Sequence, residues 1–301
     1  APLPCADDVL AAGRALQDVL RTRADAGDET CRLSAETVAS FRENGFFRVL
    51  QPRGFGGLER PAITLFRLQA VLAEADMSAG WVLANMGVVS FHLALFSPQA
   101  QADVWGADAD AILSSSNMPG GRLRPEPGGG YRLSGRWRFS SGVDHADWLM
   151  LGALREGDGA PQAGACVVPR TDVQIVADWD VAGLRGTGSH AVEVAEAYVP
   201  AHRFLAHEDR FHGRTPGTQV NTGRLYRLPL PQLLFRSIST ASLGGLRGML
   251  SAYLAANAGR TSMMAQRIAE DPHVQDLCAT VDADIAAMWR RALNVKKIIE
   301  D

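Results

Sequence analysis

The sequence predicts an α+β fold in which helices come first, a sheet follows and helices return. Three observations carry that reading. Apolar residues recur at helical spacing from Asp7 to about Gly106, shorten between about Ala111 and Pro200 into runs broken by turn residues, and resume helical spacing from about Leu230. The expected divisions are an N-terminal helical part over 1–108, a central β-part over 109–205 and a C-terminal helical part over 206–301.

In the first division Ser34 is placed to cap a helix, with Leu33 and Val38 as the apolar pair that clamps its entry and Gly45 as its stop. Leu65, Leu68, Val71, Leu72 and Ala75 then mark one face of the next helix. In the central division, PEPGGGYRLSGRW and LREGDGAPQAGACVV read as strands joined by glycine turns. The run from Ala206 to Pro229, with His207 and His212, is polar and reads as a surface connection. Its spacing matches no metal-ligand motif, and no metal is expected. In the last division Leu246, Met249, Leu250 and Tyr253 share a helix face, and Gly244 with Gly248 permits close helix contact. Ile285, Met288, Trp289, Ala292 and Ile299 carry an apolar face almost to Asp301 without a Gly or Pro stop, so the last helix reads as interrupted, with further helices to follow.

Composition narrows the function. With 47% hydrophobic residues and a formal net charge of −3 from 30 basic and 33 acidic side chains in no long runs, the chain carries no electrostatic footprint for nucleic acid or an anionic membrane. Small-molecule chemistry is the expectation. Cys5, Cys31, Cys166 and Cys278 lie far apart with no C-x-x-C pair, which points to a reducing, cytoplasmic setting. No stretch approaches the roughly 18 apolar residues of a membrane span, and the N-terminus lacks a basic segment ahead of an apolar one.

The most informative stretch is Gly135 to Trp148, GRWRFSSGVDHADW. An aromatic strand carries two adjacent hydroxyls, and on an extended segment Ser140 and Ser141 point to opposite faces. One can pack inward while the other meets a ligand. His92 lies on an apolar helix about three turns after Trp81, where core packing and ligand contact both explain the pair. GLRGTGS lacks the spacing of a phosphate loop and reads as a tight turn. Asp144 and His145 read as braces for the loop.

Four segments in order carry a resemblance. VLQPRGFGG at Val49–Gly57, AILSSSNMPGG at Ala111–Gly121, GRWRFSSG, and WDVAGLRGTGS at Trp179–Ser189 with the following AVEVAEAYVP resemble the acyl-CoA dehydrogenase superfamily. FSSG followed by DHADW is more similar to its two-component flavin monooxygenase branch. The superfamily's dehydrogenases typically carry Thr-Glu-Pro-Gly where this chain has Asn117-Met118-Pro119-Gly120, and Leu230 to Gly245 holds no carboxylate. The resemblance implies an oxygenase component that takes reduced FMN or FAD from a separate flavin reductase. It further implies that a C4a-hydroperoxyflavin formed with O2 hydroxylates a small, aromatic substrate. The alternatives are an acyl-CoA dehydrogenase-type oxidoreductase, an amine N-oxygenase, and a catalytically silent flavin-binding protein on the same fold.

The resemblance also distributes roles. It implies Ser140, with Ser141 as the alternative, as the hydroxyl beside flavin N5, with Ser116 and Asn117 on the pyrimidine edge. Trp137 and Phe139 would pack near the ring, unless Trp137 fills the strand's inner face. Arg260 would reach the flavin phosphates of a neighbouring subunit in a homotetramer. His92 would orient or deprotonate a phenol, with Trp81 lining the same cavity.

Overall fold

A computed structural model describes residues 6–293 apart from Asp158 and Met264. Six helices precede the sheet: α1 (Ala6–Ala15), α2 (Gln17–Thr30), α3 (Ala35–Glu43), α4 (Ala62–Ala73), α5 (Met77–Leu93) and α6 (Pro98–Trp105). Ser34 caps α3, its Oγ accepting from the Thr37 N–H at 3.2 Å, and Leu33 and Val38 are buried beside it. Gly45 follows in the left-handed region, at φ +67°. Nearly every residue of α5 is buried, because α5 runs between α4, the sheet and a later helix.

The strands are β1 (Leu113–Pro125), β2 (Tyr131–Trp137), β3 (Trp148–Arg155), β4 (Gln162–Pro169), β5 (Gln174–Val176), β6 (Ala191–Val199) and β7 (Phe204–Ala206). They form one sheet in the order β5-β6-β2-β1-β3-β4-β7. β1 and β3 pair in parallel, whereas the other neighbours are antiparallel. Side-chain alternation puts a core on each face. Met150, Ala165 and Val167 join the helices' core, while Leu149, Leu151, Cys166 and Val168 join Trp137 on the other side. The β1–β3 register breaks between Ser116 and Gly121, so residues 117–120 bulge from the ladder.

After the sheet come α7 (His207–Phe211), α8 (Leu230–Asn257) and α9 (Pro272–Leu293). Gly244 and Gly248 do allow a close helix contact, and its partner is α4: a Cβ at Gly244 would stand 2.6 Å from the Ala70 carbonyl oxygen, and one at Gly248 2.2 Å from that of Glu74. The face expected to be apolar and packed is instead open, with Leu246 at 40% and Met249 at 70% exposure. Ile285 is buried, and Trp289 lines a cavity of about 610 Å³ between α1, α4, α8 and α9. Ile299 lies outside the described residues.

Two expectations need correction. Ser140 and Ser141 do not lie on a strand, since β2 ends at Trp137 and Phe139 turns the chain at φ +63°. Residues 206–229 are not simply a surface connection. Gly217 N–H donates to the Leu95 carbonyl at 3.0 Å, Asn221 Nδ2 donates to that of Ala94 at 2.8 Å, and buried Tyr226 donates to that of Leu50 at 3.1 Å. The segment is a strap seated on the C-terminal end of α5.

Candidate active site

A chain of hydroxyls links α5 to the sheet. Thr187 Oγ1 donates to the Leu184 carbonyl at 2.8 Å, so its one proton is committed and it accepts from Ser189 Oγ at 2.7 Å. Ser189 therefore accepts from Ser141 Oγ at 2.8 Å. Trp81 Nε1, which can only donate, donates to Ser141 Oγ at 3.0 Å. The relay runs one way, from Trp81 through Ser141, Ser189 and Thr187 to Leu184. Half-buried Ser141 is left with a lone pair and no free proton.

Ser140 behaves differently. Ser114 Oγ donates to the Ser141 carbonyl at 2.9 Å, so in the 3.0 Å contact between Ser114 and Ser140 the proton comes from Ser140. Ser140 is thus fully buried with its proton taken inward, whereas Ser141 is half-buried. Ser116 is also buried, donating to the Arg138 carbonyl at 2.7 Å. Asn117 stands exposed on the β1 bulge. Trp137 fills the inner face of the sheet, its Nε1 donating to the Gly152 carbonyl at 2.6 Å. Phe139 is 65% exposed and meets Trp179 edge-on at 6.1 Å. A non-glycine residue held in the left-handed region with its ring outward is an unusual placement, of the kind that clusters at ligand sites.

His92 lies at the far end of α5 from Trp81, buried and edge-on to Phe96. Burial first, and the nearby Arg210 second, hold its imidazole well below its ordinary pKa. It is neutral. Arg210 Nη1, on α7, donates to its Nε2 at 3.4 Å. Asp144 and His145 brace the loop after β2: His145 Nε2 contacts the Leu33 carbonyl at 3.0 Å, and Asp144 faces His190 at 3.7 Å. Arg260 is exposed between α8 and α9 and contacts none of the other candidates. No group of three or more metal-binding side chains occurs among the described residues.

Sequence reasoning missed Ser189, Thr187 and Arg210. Thr187 and Ser189 sit in the GLRGTGS turn, where Leu184 and Gly188 both adopt left-handed backbone and the segment between them is a 3-10 turn. Hydroxyls on either side of a glycine in so tight a turn converge, which was the available signal. For a flavin the residues are apt: Ser141 offers an acceptor, Asn117 an amide with both donor and acceptor, and Phe139 and Trp179 aromatic surface.

No family model matches the chain. Among curated proteins, the flavin-dependent monooxygenase oxygenase subunit HsaA of Rhodococcus jostii (strain RHA1) is 36% identical over 280 residues, covering 92% of this chain and 73% of that protein. The oxygenase component of the FADH(2)-dependent resorcinol hydroxylase of Rhizobium sp. (strain MTP-10005) is 33% identical, over 91% of this chain and 69% of its own. The crystal structure of the HsaA monooxygenase from M. tuberculosis superimposes with a TM-score of 0.90 at 36% identity, covering 97% of this chain and 75% of that one. These likenesses set aside the dehydrogenase and silent-binder alternatives. With the acyl-CoA dehydrogenase-like fold and the hydroxyl site in place, the chain belongs to the oxygenase components of two-component flavin-dependent monooxygenases.

Proposed function

We propose that the Trp81–Ser141 end of the relay is where this oxygenase holds reduced FMN or FAD, supplied by a separate reductase, to hydroxylate a small phenolic substrate. When bound, reduced flavin supplies the activation of O2 for transfer of one oxygen atom. The single observation that carries the reading is the proton count at Ser141. Its hydroxyl accepts from Trp81 and donates to Ser189, so toward a ligand it offers only a lone pair. A reduced flavin carries a proton on N5 and meets that lone pair as a donor; an oxidised flavin presents an acceptor there and is repelled.

Around this contact, Asn117 on the bulge would engage the pyrimidine edge, while Phe139 and Trp179 would cover the ring and exclude water. Ser140, through the Ser114 hydroxyl, and Ser116 and Trp137, through the Arg138 and Gly152 carbonyls, hold the strands behind it. His92 and Trp81, on one buried helix, would flank the substrate. We further assign a homotetramer built on the open face of α8, with Arg260 meeting the flavin phosphates of a neighbouring subunit, and a cytoplasmic location. No helix is long and apolar enough to cross a membrane among the described residues.

The test is anaerobic titration with reduced FMN and FAD, followed by mixing with oxygen under stopped-flow absorbance, with and without a phenol. The oxidised spectrum should return after a lag, and labelled oxygen should enter the product. Reoxidation at the rate of free flavin, with no labelled product for any phenol, would overturn the proposal.

A further inference from the structure

Phe139 and Trp179 lie on different loops, and one residue ties both loops together. His190 closes the loop between β5 and β6, immediately before β6 begins. Its carbonyl accepts from the Ser140 N–H at 3.1 Å, which fixes the turn that carries Phe139. Its imidazole Nδ1 accepts from the Trp179 N–H at 3.2 Å. Beside this contact the Ala191 N–H donates to Asp178 Oδ1 at 2.8 Å, so side chains take over the pairing where the β5–β6 ladder stops, at Val176 and Ala191. The Trp179 ring is held at its other end as well. Its Nε1 donates at 3.2 Å to the Leu184 carbonyl, the same carbonyl on which the hydroxyl relay ends.

A backbone N–H can only donate, so Nδ1 must present its lone pair to Trp179, and in a neutral imidazole the proton is then on Nε2. Nε2 faces Asp144 Oδ2 at 3.7 Å, and that oxygen is buried with no hydrogen-bond partner. The separation is too long for a hydrogen bond, but a carboxylate there favours an N–H over a lone pair on Nε2. The two side chains are only 11% and 18% exposed, so water screens this attraction less than it would at the surface. Gly188 gives the carboxylate room, since a Cβ at that position would stand 2.9 Å from the same oxygen. A proton on Nδ1 would set two N–H groups against each other at Trp179. Asp144 and Trp179 therefore select the same form of the ring from its two sides.

We propose that His190 is a positioning residue of the oxygenase: oriented by Asp144, it holds Trp179 edge-on to Phe139 as a two-ring cover that keeps water from the flavin, a role that rests on the reading of those rings as the cover. Without oxygen transfer, two electrons and two protons pass from reduced flavin to O2, which leaves as hydrogen peroxide. A cover that shuts out water slows that loss, and a loosened one speeds it.

The first measurement needs no flavin. Backbone amide exchange across residues 177–184 of the whole chain is followed by mass spectrometry for the parent, His190→Leu and His190→Asn. His190→Leu should speed exchange there by about tenfold, as expected when one hydrogen bond no longer protects the segment. His190→Asn, whose Oδ1 falls where Nδ1 stands, should recover most of the protection. His190→Gln, whose amide reaches the Nε2 position instead, should exchange fast and serves if the Leu variant does not fold. The second measurement is the rate of hydrogen peroxide release after reduced FMN or reduced FAD bound to the protein is mixed with oxygen. His190→Leu should raise that rate about threefold to tenfold in the parent and add nothing in a Trp179→Ala background, because a residue acting through Trp179 then has nothing left to position. Unchanged exchange in both His190→Leu and His190→Gln, or an equal rise in peroxide release in both backgrounds, would overturn the proposal. So would a parent that releases peroxide slowly with no response to His190. Failure of the oxygenase reading looks different, since the parent itself would then release peroxide at the rate of free flavin.

Discussion

Trp81 and Ser141 are 60 residues apart in sequence, yet the indole N–H of one ends on the hydroxyl of the other at 3.0 Å. Ser141→Ala should therefore weaken reduced-flavin binding and raise hydrogen peroxide release, by up to about tenfold for a lost hydrogen bond of roughly 0.5–1.5 kcal/mol. Ser140→Ala should leave both nearly unchanged and instead lower the melting temperature, since it removes a buried donor to Ser114. Flavin titration and peroxide assays on the two variants separate the serines. Equal flavin losses would place both in the site.

Ser189→Ala tests the direction of the relay. Without its acceptor, Ser141 regains a proton that can point at the ligand, so oxidised flavin should bind more tightly relative to reduced flavin. A shift of the affinity ratio by about threefold to tenfold is expected from one hydrogen bond. Fluorescence titration with oxidised flavin and anaerobic titration with reduced flavin give the ratio. An unchanged ratio would mean that the relay does not set the preference.

Imidazoles wholly or partly withdrawn from water make the fold sensitive to acid. His207 is depressed from an ordinary value of 6.5 to about 4 by burial first and Arg210 second, and burial also lowers His92 and His145. Between those two pH values the unfolded chain binds more protons at His207 than the folded one, so stability is full above about 6.5 and declines as pH falls toward about 4. Thermal melts across that window should show the decline, and His207→Gln should make it shallower. A His207→Gln profile parallel to the parent's would contradict the assignment.

Gly121 packs directly against the Trp137 indole. A Cβ there would lie 2.2 Å from the indole ring, and the ring is pinned through Nε1 to Gly152. Gly121→Ala should cost about 1–3 kcal/mol by overpacking, read as a lower denaturant midpoint at unchanged slope.

The open face of α8 predicts self-association. Phe235, Ile238, Leu246, Met249 and Tyr253 are all exposed at helical spacing. Sedimentation velocity should show an oligomer, and Met249→Glu should shift it to smaller species. A parent monomer at micromolar concentration would remove the basis for placing Arg260 at a neighbour's flavin.

Local pattern made much of this fold legible. Ser34, Leu33, Val38 and Gly45 announce a helix because caps act over three or four residues, and GRWRFSSG announces a site because glycine, aromatic and hydroxyl residues crowd there. The different surroundings of Ser140 and Ser141 were not legible, since they depend on Ser114 and Ser189, which lie 26 residues before Ser140 and 48 residues after Ser141. Arg210 was hidden for a related reason. In sequence it belongs to a polar run, and only the seating of Gly217 and Tyr226 on the end of α5 and the chain before it turns its side chain toward His92.

The turn that ends the relay is itself fastened to α2, where Asp28 Oδ1 accepts from the Gly186 N–H at 3.1 Å and the Asp28 carbonyl accepts from Arg185 at 3.0 Å. Helical residues thus supply the first donor of the relay and the anchor of its last acceptor, while the sheet and its loops supply everything between. No segment holds the arrangement on its own. Ser141 takes its donor from α5 and its acceptor chain from a turn anchored on α2, whereas the Ser140–Ser114 contact lies within the sheet and its loop. Capture of reduced flavin should consequently appear last during refolding, later than the far-ultraviolet signal of strands and helices, making the cofactor a reporter of completed assembly.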